Sequence, residues 1–308
     1  MATRAHPHGP HDHRLHARPG GWRYGLAILL NIGIVAAQVA AGLATGSTAL
    51  LADAGHNASD VAGLLLAGWA AWLMTRAATP RRTYGFGKAG ILAALGNTLL
   101  LVFACGALSL EAARRLLDPP AAAPPGAVMM AIALLAAAVN IVSGLLLHHG
   151  GAADVNRRAA AMHLFADAGV SLAVVAAGAL IVATGAVWID PVATLLVVAV
   201  ILRLAWGLLR QSLDLALDAV PGGIDPDAVR AWLLQQPGVE GVHDLHIWPI
   251  SATEAALTAH LVMPEGATDS MIGAVRQGLE DRFGLAHATL QVETTEPSCA
   301  QGCDGPHP

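Results

Sequence analysis

The sequence predicts a membrane bundle of six transmembrane α-helices followed by a C-terminal cytoplasmic α+β domain. Two observations carry this expectation. Of 308 residues, 55% are hydrophobic and only 13% charged. Soluble domains carry about 25% charged residues, so this chain has too few to cover a globule in water. The second observation is a set of long apolar runs that stops near Arg210, after which the composition becomes that of a soluble domain. The net charge of −5 gives no sign of nucleic-acid binding.

A spanning helix needs roughly 20 mostly apolar residues. In chain order the spans are 25–43, 49–74, 91–110, 127–147, 159–183 and 186–209. The first, third and fourth contain no charged residue. The second contains Asp53, His56 and Asp60, the fifth His163 and Asp167, and the sixth Asp190 and Arg203. Topology follows from the placement of Lys and Arg. Arg4, Arg14, Arg18 and Arg23 precede the first span, and Arg76, Arg81, Arg82 and Lys88 follow the second. Arg157 and Arg158 precede the fifth, and Arg210 ends the sixth. Both termini are therefore expected in the cytoplasm, with Arg114 and Arg115 as exceptions at the outer end of the third span. No signal peptide is expected, because the first residues are polar and His-rich.

The domain expectation is a His-rich disordered tail over 1–21 (His6, His8, His11, His13, His16), a membrane domain over 22–210, a cytoplasmic domain over 211–297 and a Cys-containing tail over 298–308. Within the cytoplasmic part, Asp225 and Pro226 open a helix as N-cap and first helical residue. That helix should run to about 236, where Pro237-Gly238 stops it. Strands are expected over 242–250, 255–263 and 288–294, with a second helix over 270–283.

The decisive pattern is a spacing that occurs twice. His56 precedes Asp60 by four residues, and His163 precedes Asp167 by four. Residues four apart share one helix face, so each helix presents an imidazole beside a carboxylate. If the faces meet, two nitrogens and two oxygens converge, a set that suits Zn2+. An aspartate in mid-membrane costs about 2.5–3.5 kcal/mol on the lenient insertion scale, and a divalent cation would neutralise both. The alternative is a pair of His–Asp hydrogen bonds that join helices without metal. Asp53, three residues before His56, reads as a cavity-lining acid, as a support for the ligands or as a helix-end residue. Metal and protons compete for the same histidines, so the site could couple metal export to proton entry. A membrane metal sensor that moves no ions would need the same ligands. An enzyme is not expected: the His-Glu-x-x-His stretch of a metalloprotease is missing.

The soluble part has its own candidates in His243, His260 and Glu293, with Cys299 and Cys303 beyond them. These could form a cytoplasmic zinc site or be surface histidines and a frayed tail. The odd cysteine count is not a disulfide framework.

These residues together resemble the cation diffusion facilitator family, in its bacterial zinc-exporting branch. The motifs are Ser47-Thr-Ala-Leu-Leu-Ala-Asp-Ala-Gly-His-Asn-Ala-Ser-Asp60, Tyr84-Gly-Phe-Gly-Lys88, His163 to Asp167, Trp188-Ile-Asp-Pro191 and His243-Asp-Leu-His-Ile-Trp248. The resemblance implies a homodimer of the bacterial inner membrane with a ferredoxin-like cytoplasmic domain. It implies transported zinc on His56, Asp60, His163 and Asp167, and antiport against protons, with Cd2+, Co2+ or Ni2+ as alternative cargo. It implies that Lys88 and Asp214 match a charged pair holding the dimer together below the membrane, and that His243, His260 and Glu293 match cytoplasmic ligands. Some positions depart from the family pattern. The loop 78–86 lacks the Asp and His that make a metal site there in the family. Gln38 and Gly90 stand where Glu is common, Gln291 stands where some members have a His ligand, and the His-rich loop after the fourth span is reduced to His148 and His149.

Overall fold

The computed structural model describes residues 21–148 and 155–295. The His-rich tail, His149, Cys299 and Cys303 lie outside the described residues. Six long helices come first: α1 (Gly21–Thr45), α2 (Thr48–Met74), α3 (Ala89–Leu117), α4 (Gly126–His148), α5 (Val155–Thr184) and α6 (Ile189–Ala216). All of these except α2 are long and apolar enough to cross a membrane on hydropathy alone. At 27 residues α2 has the length, but it carries Asp53, His56, Asn57 and Asp60. Large apolar side chains point outward from the bundle: Phe103 is 74% exposed and Leu29 67%. Such surfaces belong in lipid, not water.

The helices α1, α2, α5 and α4 close a ring, each touching the next, and α3 pairs with α6 alongside α2. Small residues set the closest approach. A Cβ on Gly178 of α5 would lie 2.8 Å from the Gly126 carbonyl oxygen of α4, and one on Gly126 would lie 2.5 Å from the Gly178 oxygen. Only glycine lets these backbones meet, the usual means by which membrane helices gain contact without a hydrophobic driving force.

The helix ends depart from the expected spans for local reasons. α3 continues through Glu111, Arg114 and Arg115. The Arg115 Nε donates to Glu111 Oε1 at 2.9 Å and its Nη1 donates to the Gly46 carbonyl just past α1. This arginine closes the end of α1, which accounts for its place on the unexpected side. α6 continues past Arg210 to Ala216 as a helix with a charged face.

The C-terminal part is α7 (Pro226–Leu233), β1 (Gly241–Pro249), β2 (Ala255–Val262), α8 (Asp269–Phe283) and β3 (His287–Glu293). The sheet order is β1-β2-β3, with β1 antiparallel and β3 parallel to β2. The Asp225 side chain accepts from the Asp227 amide at the start of α7, as its sequence position requires. α7 ends at Leu233, earlier than Pro237 demands, and a turn covers the gap. Val229, Leu233, Leu257, Leu261 and Leu279 fill the core between helices and sheet.

The loop between α2 and α3 fastens the two parts together. A side chain on Gly87 would collide with the Ile250 carbonyl, and the Tyr84 ring meets His287 of β3 edge-on at 6.5 Å. Lys88 Nζ pairs with Asp218 Oδ1 of its own chain at 2.5 Å. Within one chain the lysine's partner is Asp218, not Asp214, which is exposed one turn earlier.

Candidate metal centre

α2 and α5 run in opposite senses, and both motifs lie well inside them. His56 and Asp60 stand 8 and 12 residues after Thr48 at one end, and His163 and Asp167 the same distances after Val155 at the other. At about 1.5 Å per residue, both pairs lie roughly 12–18 Å inside. The i, i+4 spacing turns each pair toward the facing helix, and the four side chains meet.

They form a ring. His56 Nε2 is 3.1 Å from Asp167 Oδ1 and 3.9 Å from Asp60 Oδ2. His163 Nε2 is 3.2 Å from Asp60 Oδ2 and 3.8 Å from Asp167 Oδ2. The imidazole planes cross at 76°, with centroids 6.0 Å apart. The ring has a closed and an open side: the His56 and Asp167 side chains are 6% and 4% exposed, and those of Asp60 and His163 are 32% and 52%. Asp60 and His163 form the open side of the ring.

Among the described residues, only His56–Asp167 is a hydrogen bond. Asp60 Oδ2 meets His163 Nε2 as an ion pair without the alignment of a good hydrogen bond, and His56 Nδ1 is buried without a hydrogen-bond partner among the described residues. Each helix is thus joined to the other by two His–Asp pairs, His56–Asp167 and His163–Asp60, and the pairs lie close enough to share one centre. A tetrahedron with zinc bonds of about 2.0–2.1 Å has edges of about 3.3–3.4 Å. The four His–Asp separations span that value, and the ligand atoms of His56, Asp60 and Asp167 all lie within 4.8 Å of one another, with His163 on the open side outside that tight group.

A second polar layer lies one turn away along α2. Asp53 is fully buried, and its Oδ2 accepts from Gln38 Nε2 of α1 at 2.5 Å and from Ser171 Oγ of α5 at 2.8 Å. Asn57 Nδ2 donates to Gln38 Oε1 at 3.3 Å. Asp53 thus ties three helices together beside the ring and makes no hydrogen bond with the four ring residues among the described contacts. The helix-end role falls to Asp190 of α6. Its carboxylate accepts from Ser47 Oγ at 2.6 Å, from the Thr48 amide at 2.8 Å and from Thr48 Oγ1 at 2.9 Å. A buried carboxylate on the first amides of α2 favours the positive end of the helix dipole. Sequence reasoning missed this role; the only local signal was the Ser47-Thr48 pair at a helix start.

On the sheet, three of the expected residues come together. His243 Nε2 is 3.0 Å from Glu293 Oε2, and His260 Nδ1 is 3.0 Å from Glu293 Oε1. The imidazole centroids are 5.0 Å apart. A fourth group, Asp244, was missed. The β1–β2 register slips between His243 and His246, and Asp244 takes a left-handed backbone (φ 50°), which Asp tolerates better than most residues. This brings its carboxylate to 3.4 Å from His260 Nε2 and 2.9 Å from His246 Nε2. The buried His243 Nδ1 has no hydrogen-bond partner among the described residues, so the donor set fits a metal ion.

Residues 25–215 match the model of the cation efflux transmembrane domain. The chain belongs to the cation efflux family. Residues 221–295 match the cytoplasmic domain of cation efflux proteins. Among curated relatives of this family, zinc transporter ZitB of Escherichia coli (strain K12) is 33% identical over 304 residues, 98% of this chain and 95% of that protein. The metal cation efflux system protein CzcD of Cupriavidus metallidurans is 34% identical over 287 residues, covering 92% and 89%. The cadmium, cobalt and zinc/H(+)-K(+) antiporter of Bacillus subtilis (strain 168) is 30% identical over 273 residues, covering 87% and 88%. Cation efflux proteins are membrane transporters rather than enzymes, in keeping with the apolar helices of this chain.

Proposed function

We propose that this cation efflux protein exports Zn2+ from the cytoplasm of a bacterial cell across the inner membrane in exchange for protons. The observation that carries the reading is the convergence of His56, Asp60, His163 and Asp167, two imidazoles and two carboxylates, between α2 and α5. Two nitrogens and two oxygens at these separations favour zinc, and zinc stands in the printed names of the ZitB relatives and the Bacillus antiporter. Cd2+, Co2+ and Ni2+ are the alternative cargo, since ligand type alone separates them weakly. The Bacillus relative's name includes cadmium and cobalt.

The cycle uses the ligands themselves. Imidazole must be neutral to bind metal. Zinc enters past His163 from the cytoplasm and neutralises both carboxylates. The ring of α1, α2, α5 and α4 then rocks against α3 and α6, and external protons displace the ion. Asp190 keeps the start of α2 attached to α6 while the other end moves. Lys and Arg placement supports cytoplasmic termini. The protein acts as a homodimer through its C-terminal domain, with Lys88 and Asp214 as a charge pair between protomers. His243, His260 and Glu293 hold a further zinc ion there, with Asp244 oriented toward His260 and with Cys299 and Cys303 as additional ligands.

Zinc uptake into proteoliposomes under an imposed pH gradient tests the antiport. Zinc should enter faster when the lumen is acidic, and the lumen should become more alkaline as zinc enters. Uptake indifferent to the gradient, with no change in luminal pH, contradicts it.

A further inference from the structure

Where α2 and α3 meet the sheet domain lies a cavity of about 800 Å3. Its floor is apolar: Leu66, Trp69 and Leu73 of α2, and Leu92, Ala93 and Gly96 of α3. Its rim is cationic, formed by Arg81, Arg82 and Lys88 of the connecting loop. Trp248, Pro249 and Ile250, at the end of β1, close it from the sheet side. The rim stands at the helix ends, since α2 stops at Met74 and α3 starts at Ala89. The floor reaches Leu66, about 12 Å deeper at 1.5 Å per residue. A phospholipid has this same arrangement of charge and hydrocarbon.

The charges point to an anion. Lys88 is already paired with Asp218. Arg82 lies 4.6 Å from the Phe86 ring centroid, a contact that holds the guanidinium without neutralising it. Arg81 makes no ion pair among the described residues. Among the described residues no carboxylate lines the cavity. The floor also stays open: Trp69 is 55% exposed and Leu92 58%.

We propose that this cavity binds one anionic phospholipid of the surrounding leaflet. Its phosphate lies against Arg81 and Arg82, an acyl chain runs along Leu66, Leu73 and Leu92, and Trp248 to Ile250 cover the headgroup. Basic pockets at the ends of membrane helices select such headgroups. The bound lipid touches both the membrane helices and the sheet domain, so it adds to their attachment at Gly87 and Ile250. The inference does not depend on which ion the protein carries.

Native mass spectrometry of the full-length protein, titrated in detergent with phosphatidylglycerol or phosphatidylcholine of matched chains, tests it. Phosphatidylglycerol should bind more tightly, and glycerol phosphate should not displace it. Arg81→Ala with Arg82→Ala should weaken phosphatidylglycerol by about 25-fold, roughly five-fold for each charge at about 1 kcal/mol. Lysine at both positions should restore most of that binding. Arg210→Ala, on exposed α6, should leave it unchanged. Gly96→Leu meets nothing within 4 Å at its Cβ and fills the floor, so it should weaken the lipid without touching a charge. Equal binding of the two lipids, or no loss in the arginine double variant, overturns the proposal. Displacement by glycerol phosphate would assign the site to a free phosphate. A Gly96→Leu variant that keeps its lipid but loses the dimer would assign the floor to a second copy of the chain.

Discussion

Two clusters of imidazole and carboxylate occur in this molecule, and they are carried differently. Between α2 and α5, each helix contributes one His and one Asp from a single face, and the pairs meet across an interface of two long rods. On the sheet, His243 and His260 are direct partners across β1 and β2, and Glu293 stands two residues beyond Gln291, the partner of His260 on β3. The ladder of backbone hydrogen bonds fixes the spacing of the sheet ligands. The four residues between α2 and α5 are placed by how two helices lie against each other, so a small rigid-body shift would open the ring. A site that must load and release an ion suits the helix interface, and a site that retains one suits the ladder. Surroundings sharpen the contrast. In the membrane both carboxylates need a cation or protons, whereas the sheet ligands border water.

The largest expected effect is on stoichiometry. Equilibrium zinc binding to the detergent-solubilised protein should fall by one ion per chain in Asp167→Ala and by a different ion in His243→Ala with His260→Ala. If one change removes both ions, the two clusters are not independent.

A strong pH effect should follow at the helical site. Both imidazoles must shed protons to coordinate, so affinity falls as pH falls, by up to about a hundredfold per unit where two protons are taken up per zinc lost. A zinc titration at several pH values in the sheet double variant isolates this slope. A flat profile would remove the basis for proton coupling.

Next come the contacts that hold the helices. Asp190→Ala leaves the Ser47 hydroxyl and the Thr48 amide without their buried acceptor, and should destabilise the membrane domain by about 3 kcal/mol. Thermal unfolding in detergent would register it, while sheet-domain unfolding should be unchanged. Gly178→Ala forces α4 from α5 against Met130 and Gly126 and should cost about 1–3 kcal/mol. The matching change on the sheet side, Gly284→Ala at a left-handed helix end (φ 70°), should cost about 1 kcal/mol. Equal losses would mean that the bundle is as tolerant of backbone displacement as the small domain.

Much of this design was legible in the sequence because it is local. Six spans follow from long apolar runs, three of them free of charge, and the candidate residues His56, Asp60, His163 and Asp167 from two spacings of four. The α-β-β-α-β order follows from the helix start at Asp225 and Pro226 and from alternation beyond it. What was hidden is what crosses the chain. Asp190 stands 142 residues from Thr48, and no local pattern announces that its carboxylate caps another helix. Asp53 shares a face with His56, but that Gln38 and Ser171 would bond its Oδ2 from two other helices could not be read from spacing. Asp244 joined the sheet cluster only because a bulge turned it out of the alternation. Helix ends were misplaced where pairing offsets charge, as between Glu111 and Arg115. Within the chain Lys88 pairs with Asp218, a contact no local spacing announces.

The most direct measurement is zinc flux into proteoliposomes under a fixed pH gradient, comparing the parent with Asp60→Ala and with the His243→Ala, His260→Ala double variant. The account predicts flux at background in Asp60→Ala and flux within about twofold of the parent in the sheet variant, since ligands outside the bilayer lie off the ion's path. Parent-level flux in Asp60→Ala would contradict it, because the ion would then cross without the ring between α2 and α5.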